Sequence, residues 1–204
     1  MIIGLTGRNG SGKGTVAAWL VGHGCRYLSL SDELRADLHK RGLEPTRDNL
    51  IVGGRRLRAE GGPGVLARLV LERIAQERGE NAQRAEPITA YAVDSVRTPG
   101  EVALLRGAEG FVLLEVVAAI DARYARVMDR GRLGDAADFA EFVRQEKAEL
   151  DSKDAAAQQL NATASLADLR VHNDGTPADL DAALAALFPH LSAQSASTAA
   201  SSMT

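Results

Sequence analysis

The segment Gly7-Arg8-Asn9-Gly10-Ser11-Gly12-Lys13-Gly14-Thr15 constrains the fold more than any other part of the chain. It follows a short apolar run, Ile2-Ile3-Gly4-Leu5-Thr6, and precedes the helical pattern Val16-Ala17-Ala18-Trp19-Leu20-Val21. Glycines let the backbone wrap a phosphate with its N–H groups, and a helix that starts at once points the positive end of its dipole at the same anion. A lysine in the place of Lys13 bridges β- and γ-phosphates. Strand, loop and helix in this order predict an ATP or GTP site formed by Gly7, Asn9, Gly10, Ser11, Gly12, Lys13, Gly14 and Thr15.

Short apolar runs alternate with longer amphipathic stretches along the rest of the chain, the pattern of a parallel sheet covered by helices. The predicted fold class is a three-layer α/β/α domain around a five-stranded parallel sheet. Strands are expected near residues 2–6, 26–30, 88–93, 111–117 and 169–172, each followed by turn residues. Helices are expected at 13–22, 32–41, 47–59, 64–78, 99–107, 120–130, 135–150 and 176–187, with Pro99 and Pro177 suited to first turns. Insertions at about 42–86 and 131–168 interrupt this rhythm, and inserted helices of this kind carry substrate contacts or serve as lids. One domain over 1–190 accounts for the length. The Ser/Ala-rich segment 191–204 has too few apolar residues to fold and is expected to be disordered.

Composition narrows the partners. A net charge of −3 opposes nucleic acid or an anionic membrane as the main partner, since both call for a basic surface. Only four of the 24 basic residues are Lys, and the arginines that dominate grip phosphate bidentately, so their positions matter more than their number. The single cysteine, Cys25, rules out an intrachain disulfide and fits a reducing, cytoplasmic compartment. The four histidines are too scattered for a local ligand pair, and no structural metal is expected. No apolar run approaches the roughly 18 residues of a membrane span, nor does a basic leader precede the first strand.

The residues after the second and third strands offer a place for a second substrate. Ser31-Asp32-Glu33-Leu34-Arg35 follows the second strand, where Ser31 or Asp32 can cap a helix carrying Arg35 on its first turn. The third strand runs into Asp94-Ser95-Val96-Arg97-Thr98-Pro99, which puts Asp94 at the carboxyl edge where sheet ligands bind. A carboxylate there can hold water on Mg²⁺, and Arg97 then faces the second substrate. After the fourth strand come Arg123, Arg126, Arg130 and Arg132, on neighbouring helix faces and just beyond.

These features resemble the nucleoside and deoxynucleoside monophosphate kinases. Gly-Lys-Gly-Thr, with Gly14 where most such loops carry a metal-binding hydroxyl and the hydroxyl one residue later at Thr15, is similar to the adenylate-kinase style of loop. The string Asp32-x-Leu34-Arg35 matches the family's acceptor helix, and the resemblance implies that Arg35 holds the acceptor's phosphate with Ser31 and Asp32 beside it. Asp94-x-x-Arg97-x-Pro99 resembles the corresponding turn, more closely in relatives of dephospho-coenzyme-A kinases than in adenylate kinases, where Arg and Pro exchange order. The resemblance further implies ATP and Mg²⁺ (Thr15, Asp94) as cofactors and a small phosphorylated molecule as acceptor. It implies catalytic roles for Lys13 and Arg97 and a charge-neutralising lid arginine at Arg130 or Arg132. The turn Asn173-Asp174-Gly175 would edge the adenine. Asp32 would be the base if the acceptor were instead the ribose hydroxyl of dephospho-coenzyme A. A nucleotide-binding switch is the alternative of another class, which the arginines at 35 and 97 oppose because a switch holds no second phosphate. Gln158 and Gln159 receive no role from the sequence.

Overall fold

The computed structural model describes residues 1–81, 88–131, 136–150 and 158–189. Five strands, β1 (Ile2–Thr6), β2 (Arg26–Ser29), β3 (Tyr91–Asp94), β4 (Phe111–Val117) and β5 (Leu169–His172), form one parallel sheet in the order β2-β3-β1-β4-β5. The three-layer α/β/α expectation therefore holds. The order reverses at β1, so the loop leaving β1 opens into the crevice at the sheet's switch point, where α/β proteins bind ligands.

Strand alternation builds two cores. Ile2, Tyr91, Val93 and Leu113 face one side, packed against Leu66, Val70 and Ile74 of α4 (Val65–Asn81) and Val102 and Leu105 of α5 (Pro99–Arg106). Ile3, Leu5, Ala92 and Leu114 face the other, against Val16 and Leu20 of α1 (Lys13–Gly22) and Leu180 and Leu184 of α9 (Pro177–Leu187). Burial on both faces is what a parallel sheet under helices requires.

After α2 (Leu30–Lys40), the first insertion folds as α3 (Arg47–Gly61) and α4, and the second contributes α7 (Phe139–Leu150) and α8 (Leu160–Ala164) after α6 (Ile120–Arg130). Helix α2 begins two residues before the expected position because its cap is Ser29, whose hydroxyl accepts from the Ser31 N–H, and neither Ser31 nor Asp32 performs that task. Helix α8, five residues long, has no counterpart among the expected helices. The segment 191–204, expected to be disordered, and Arg132 lie outside the described residues.

Candidate active site

The loop after β1 takes the shape its glycines allow. Gly7, Gly10 and Gly12 have φ of 141°, 77° and 96°. A Cβ on Gly10 would sit 2.4 Å from the Arg123 carbonyl oxygen, so both conformation and space demand glycine there. Gly12 caps α1 with no side-chain hydrogen bond, which leaves the first turn of that helix directed into the cavity that its residues line. The Lys13 ammonium lies across the loop, donating to the carbonyls of Gly7 at 2.7 Å and Arg8 at 3.0 Å.

Three side chains brace the loop from behind. Asn173, buried at the end of β5, donates its amide to the Ser11 carbonyl at 2.9 Å. Arg126 of α6 reaches the Asn173 carbonyl at 2.7 Å and the Gly10 carbonyl at 3.4 Å. Arg123, 2% exposed, donates to the Ala118 and Asn9 carbonyls and pairs with Glu146 of α7. Its place in the interior makes it a brace between loop and helix. Neither Asn173 nor Gly175 forms part of the cavity wall: Asn173 holds the loop, and Gly175 stands beside the Asp179 carboxylate, which completes the capping box begun by Thr176 at the start of α9.

A cavity of about 1780 Å³ opens from the loop across the carboxyl ends of β2 and β3 to α3. Its wall carries eight arginines and Lys13 against four carboxylates, so an anion-selective interior sits in a chain whose net charge is negative. Ser31, Asp32, Arg35, Asp94, Arg97 and Arg130 all lie on this wall together with Asn9–Thr15. Arg130 donates to the Asn9 side chain at 2.8 Å, at the loop's end of the cavity. Arg35 pairs with Asp32 at 2.8 Å, one helical turn apart on α2.

Asp94 ends β3. One carboxylate oxygen accepts from the Ser95 N–H at 2.6 Å and the other from the Tyr27 hydroxyl at 3.3 Å. Burial first, and then the Asp94 charge, push the Tyr27 phenol above its ordinary pKa, which keeps it a donor. Ser95 is the one described non-glycine residue with positive φ, 68°, a conformation that costs about 1–2 kcal/mol and marks the turn as functionally constrained. Asp94 does not cap α5; Thr98 does, in a capping box with Glu101.

Arg97 is held at three points. Its N–H donates to Glu101 Oε2 at 2.8 Å, its carbonyl accepts from the Gln159 N–H at 3.0 Å, and its guanidinium donates to Gln158 Oε1 at 2.8 Å. Glu101 Oε1 in turn accepts from Arg58 of α3 at 2.9 Å, both side chains being buried. Sequence reasoning missed Gln158, Glu101 and Arg58; the Thr98-x-x-Glu101 spacing of a capping box was the one available signal.

The described residues contain no group of three or more His, Cys, Asp or Glu able to enclose a metal. Mg²⁺ on a nucleotide needs less, one or two protein oxygens with phosphates and water supplying the rest. Asp94 and Thr15 offer that donor set on one cavity wall, so the residues fit a magnesium nucleotide.

Sheet order, glycine loop and α1 together define a P-loop protein with a kinase-like α/β fold. The solved structure of TT1252 from Thermus thermophilus has this arrangement, with a TM-score of 0.50 at 28% identity over 94% of this chain and 97% of that one. An uncharacterised protein from Eubacterium ventriosum shares the fold at a TM-score of 0.53 and 13% identity, covering 95% of this chain and 98% of its own. No family model matches the chain. Curated relatives do. A UPF0200 protein of Pyrococcus abyssi is 32% identical over 177 residues, 85% of this chain and 88% of its own length. Another from Methanothermobacter thermautotrophicus is 32% identical over 151 residues, 74% of this chain and 72% of its own. The chain belongs to the UPF0200 family. No helix among its described residues is long and apolar enough to cross a membrane.

Proposed function

We propose that this protein transfers the γ-phosphate of ATP to a (deoxy)nucleoside monophosphate and releases the diphosphate. The observation that carries this reading is a single cavity whose wall runs unbroken from the glycine loop to Arg35 and Arg97. Its 1780 Å³ exceeds the roughly 300–1,000 Å³ of a one-ligand pocket, which suits a nucleotide triphosphate and an acceptor side by side.

Phosphoryl transfer asks the protein to position two anions and to stabilise the charge that spreads over the transferred group. The loop N–H groups and Lys13 would cradle the triphosphate, with Arg126 and Arg130 at the same end of the cavity. Arg97, fixed by Glu101, Gln159 and Gln158, would hold the acceptor's phosphate so that one of its oxygens is presented in line. Asp94 and Thr15 would hold a magnesium ion, which would supply charge neutralisation to the phosphates. A phosphate acceptor is already anionic, so no base is required.

The second reading within the same chemistry, a hydroxyl acceptor such as dephospho-coenzyme A, draws on Asp32, which stands on the same wall. Its ion pair with Arg35 favours the first reading, because the carboxylate is engaged in orienting a cation. Kinetics of two variants with nucleoside monophosphates and with dephospho-coenzyme A separate them. For a monophosphate acceptor, Arg97→Ala should lower kcat/KM by a factor on the order of 100, the loss of one charge-assisted contact, and Asp32→Asn should cost less. Greater damage from Asp32→Asn, with turnover on dephospho-coenzyme A alone, would establish the second reading instead.

A further inference from the structure

We infer that Gln158 is the positioning residue for the acceptor's phosphate, presenting the Arg97 guanidinium to the cavity without cancelling its charge; this rests on the proposed transfer to a phosphorylated acceptor. Partner chemistry separates Arg97 from three other arginines of the wall, Arg35, Arg58 and Arg144. Arg35 pairs with Asp32 at 2.8 Å, Arg144 with Glu141 at 2.7 Å and Arg58 with Glu101 at 2.9 Å, each cation facing a carboxylate. The Arg97 side chain donates to a neutral amide oxygen at 2.8 Å, and among the described residues no carboxylate forms an ion pair with it.

A guanidinium has five N–H donors in a rigid fork. An amide that takes one of them fixes the plane of the fork and leaves the others, with the full positive charge, for a ligand. A carboxylate in the same place would fix the plane equally well, yet offset the charge and repel an incoming phosphate. The surrounding contacts are arranged so that the amide oxygen controls orientation. Glu101 immobilises the Arg97 backbone from one side, the Gln159 N–H holds its carbonyl from the other, and only the side chain is left to be set. Gln158 and Arg97 both line the cavity and are half-buried, so a ligand can reach the fork and the amide can stay ordered. The same short stretch also meets the glycine loop, because Asn161 accepts from the Arg8 guanidinium at 3.3 Å.

Charge discriminates this role from a structural one. Gln158→Glu keeps size and hydrogen bond but neutralises Arg97, whereas Gln158→Ala frees the fork and keeps its charge. With adenosine, cytidine and deoxycytidine 5′-monophosphates as probes, we expect Gln158→Ala to raise acceptor KM by about tenfold, equivalent to about 1.4 kcal/mol. Gln158→Glu should raise it by about 100-fold, with the KM for ATP within twofold of the parent in both. Combined with Arg97→Ala, Gln158→Ala should add no further loss, since the group it acts through is gone. Matching melting temperatures of parent and variants would place the effect in the site. A Gln158→Glu enzyme that binds acceptor as tightly as Gln158→Ala, or a Gln158→Ala loss that persists in the Arg97→Ala background, would overturn the inference and leave the proposed function standing. Indifference of Arg97→Ala itself towards every monophosphate would remove that function, and this inference with it.

Discussion

Glu101→Ala tests how the acceptor wall is held in place. The side chain is 0% exposed, and its carboxylate accepts from Arg58 at 2.9 and 3.3 Å, from the Arg97 N–H at 2.8 Å and from the Thr98 N–H at 3.1 Å. Truncation takes the carboxylate away from the Arg58 guanidinium, itself 6% exposed, and deprives two backbone donors of their acceptor. Removing one partner of a buried ion pair costs about 3–5 kcal/mol, because the surviving charge is left desolvated. For a domain of this size each kcal/mol lowers Tm by about 2–4 °C, so the expected fall is about 6–20 °C. Arg58→Met should cost less, since the Glu101 carboxylate keeps both backbone N–H groups and Met fills the space with apolar atoms. Urea unfolding followed by circular dichroism, with equal m-values across the series, measures both. A loss below about 1 kcal/mol for Glu101→Ala, or a larger loss for Arg58→Met, would refute the reasoning.

Asp94→Asn keeps one acceptor oxygen, for the Ser95 N–H, and removes the charge, so it should raise the magnesium concentration for half-maximal activity about tenfold or more with little change in nucleotide affinity; an unchanged magnesium titration would free Asp94 of that role. Burial pushes the Cys25 thiol up to about 11, and it should stay unreactive towards iodoacetamide at pH 8 until urea unfolds the chain; rapid alkylation of the folded protein would contradict that placement. Burial of Asp37 is outweighed by hydrogen bonds from Arg56 and Arg41, which hold its carboxyl below the ordinary range, so the clamp between α2 and α3 contributes fully above the unfolded value of about 3.9 and is lost as pH falls through the lowered one. Asp37→Asn should therefore lower stability at pH 7 and converge with the parent in acid; a constant difference across that range would count against the clamp.

What the sequence revealed and what it hid divide along contact distance. The glycine loop was legible because its ligands, its strand and its helix are contiguous, and each glycine is forced by local backbone geometry. Strands β1, β4 and β5 were legible to the residue, since apolar runs bounded by turns specify them. The start of α2 was misplaced because Ser29, Ser31 and Asp32 are all competent caps, and only the entry path of β2 selects Ser29. Helix α8 is too short to show a period. Arg123 looked like its neighbours at three- and four-residue spacing, and its burial depends on Glu146, 23 positions on. The resemblance puts Asn173 at the edge of the adenine, whereas its amide reaches a carbonyl 162 positions away. Gln158 is the clearest case: an amide acquires a role only from what stands opposite, and Arg97 is 61 residues earlier.

ADP release by the purified protein, given ATP and magnesium with a panel of nucleoside and deoxynucleoside monophosphates beside dephospho-coenzyme A, tests the central claim directly. The account predicts turnover dependent on one or more monophosphates, and its disappearance in Lys13→Met at unchanged Tm, because Lys13 acts on the transferred phosphate and its side chain lies outside the core. Turnover by Lys13→Met within a few-fold of the parent, or ADP release that no monophosphate accelerates, would contradict it.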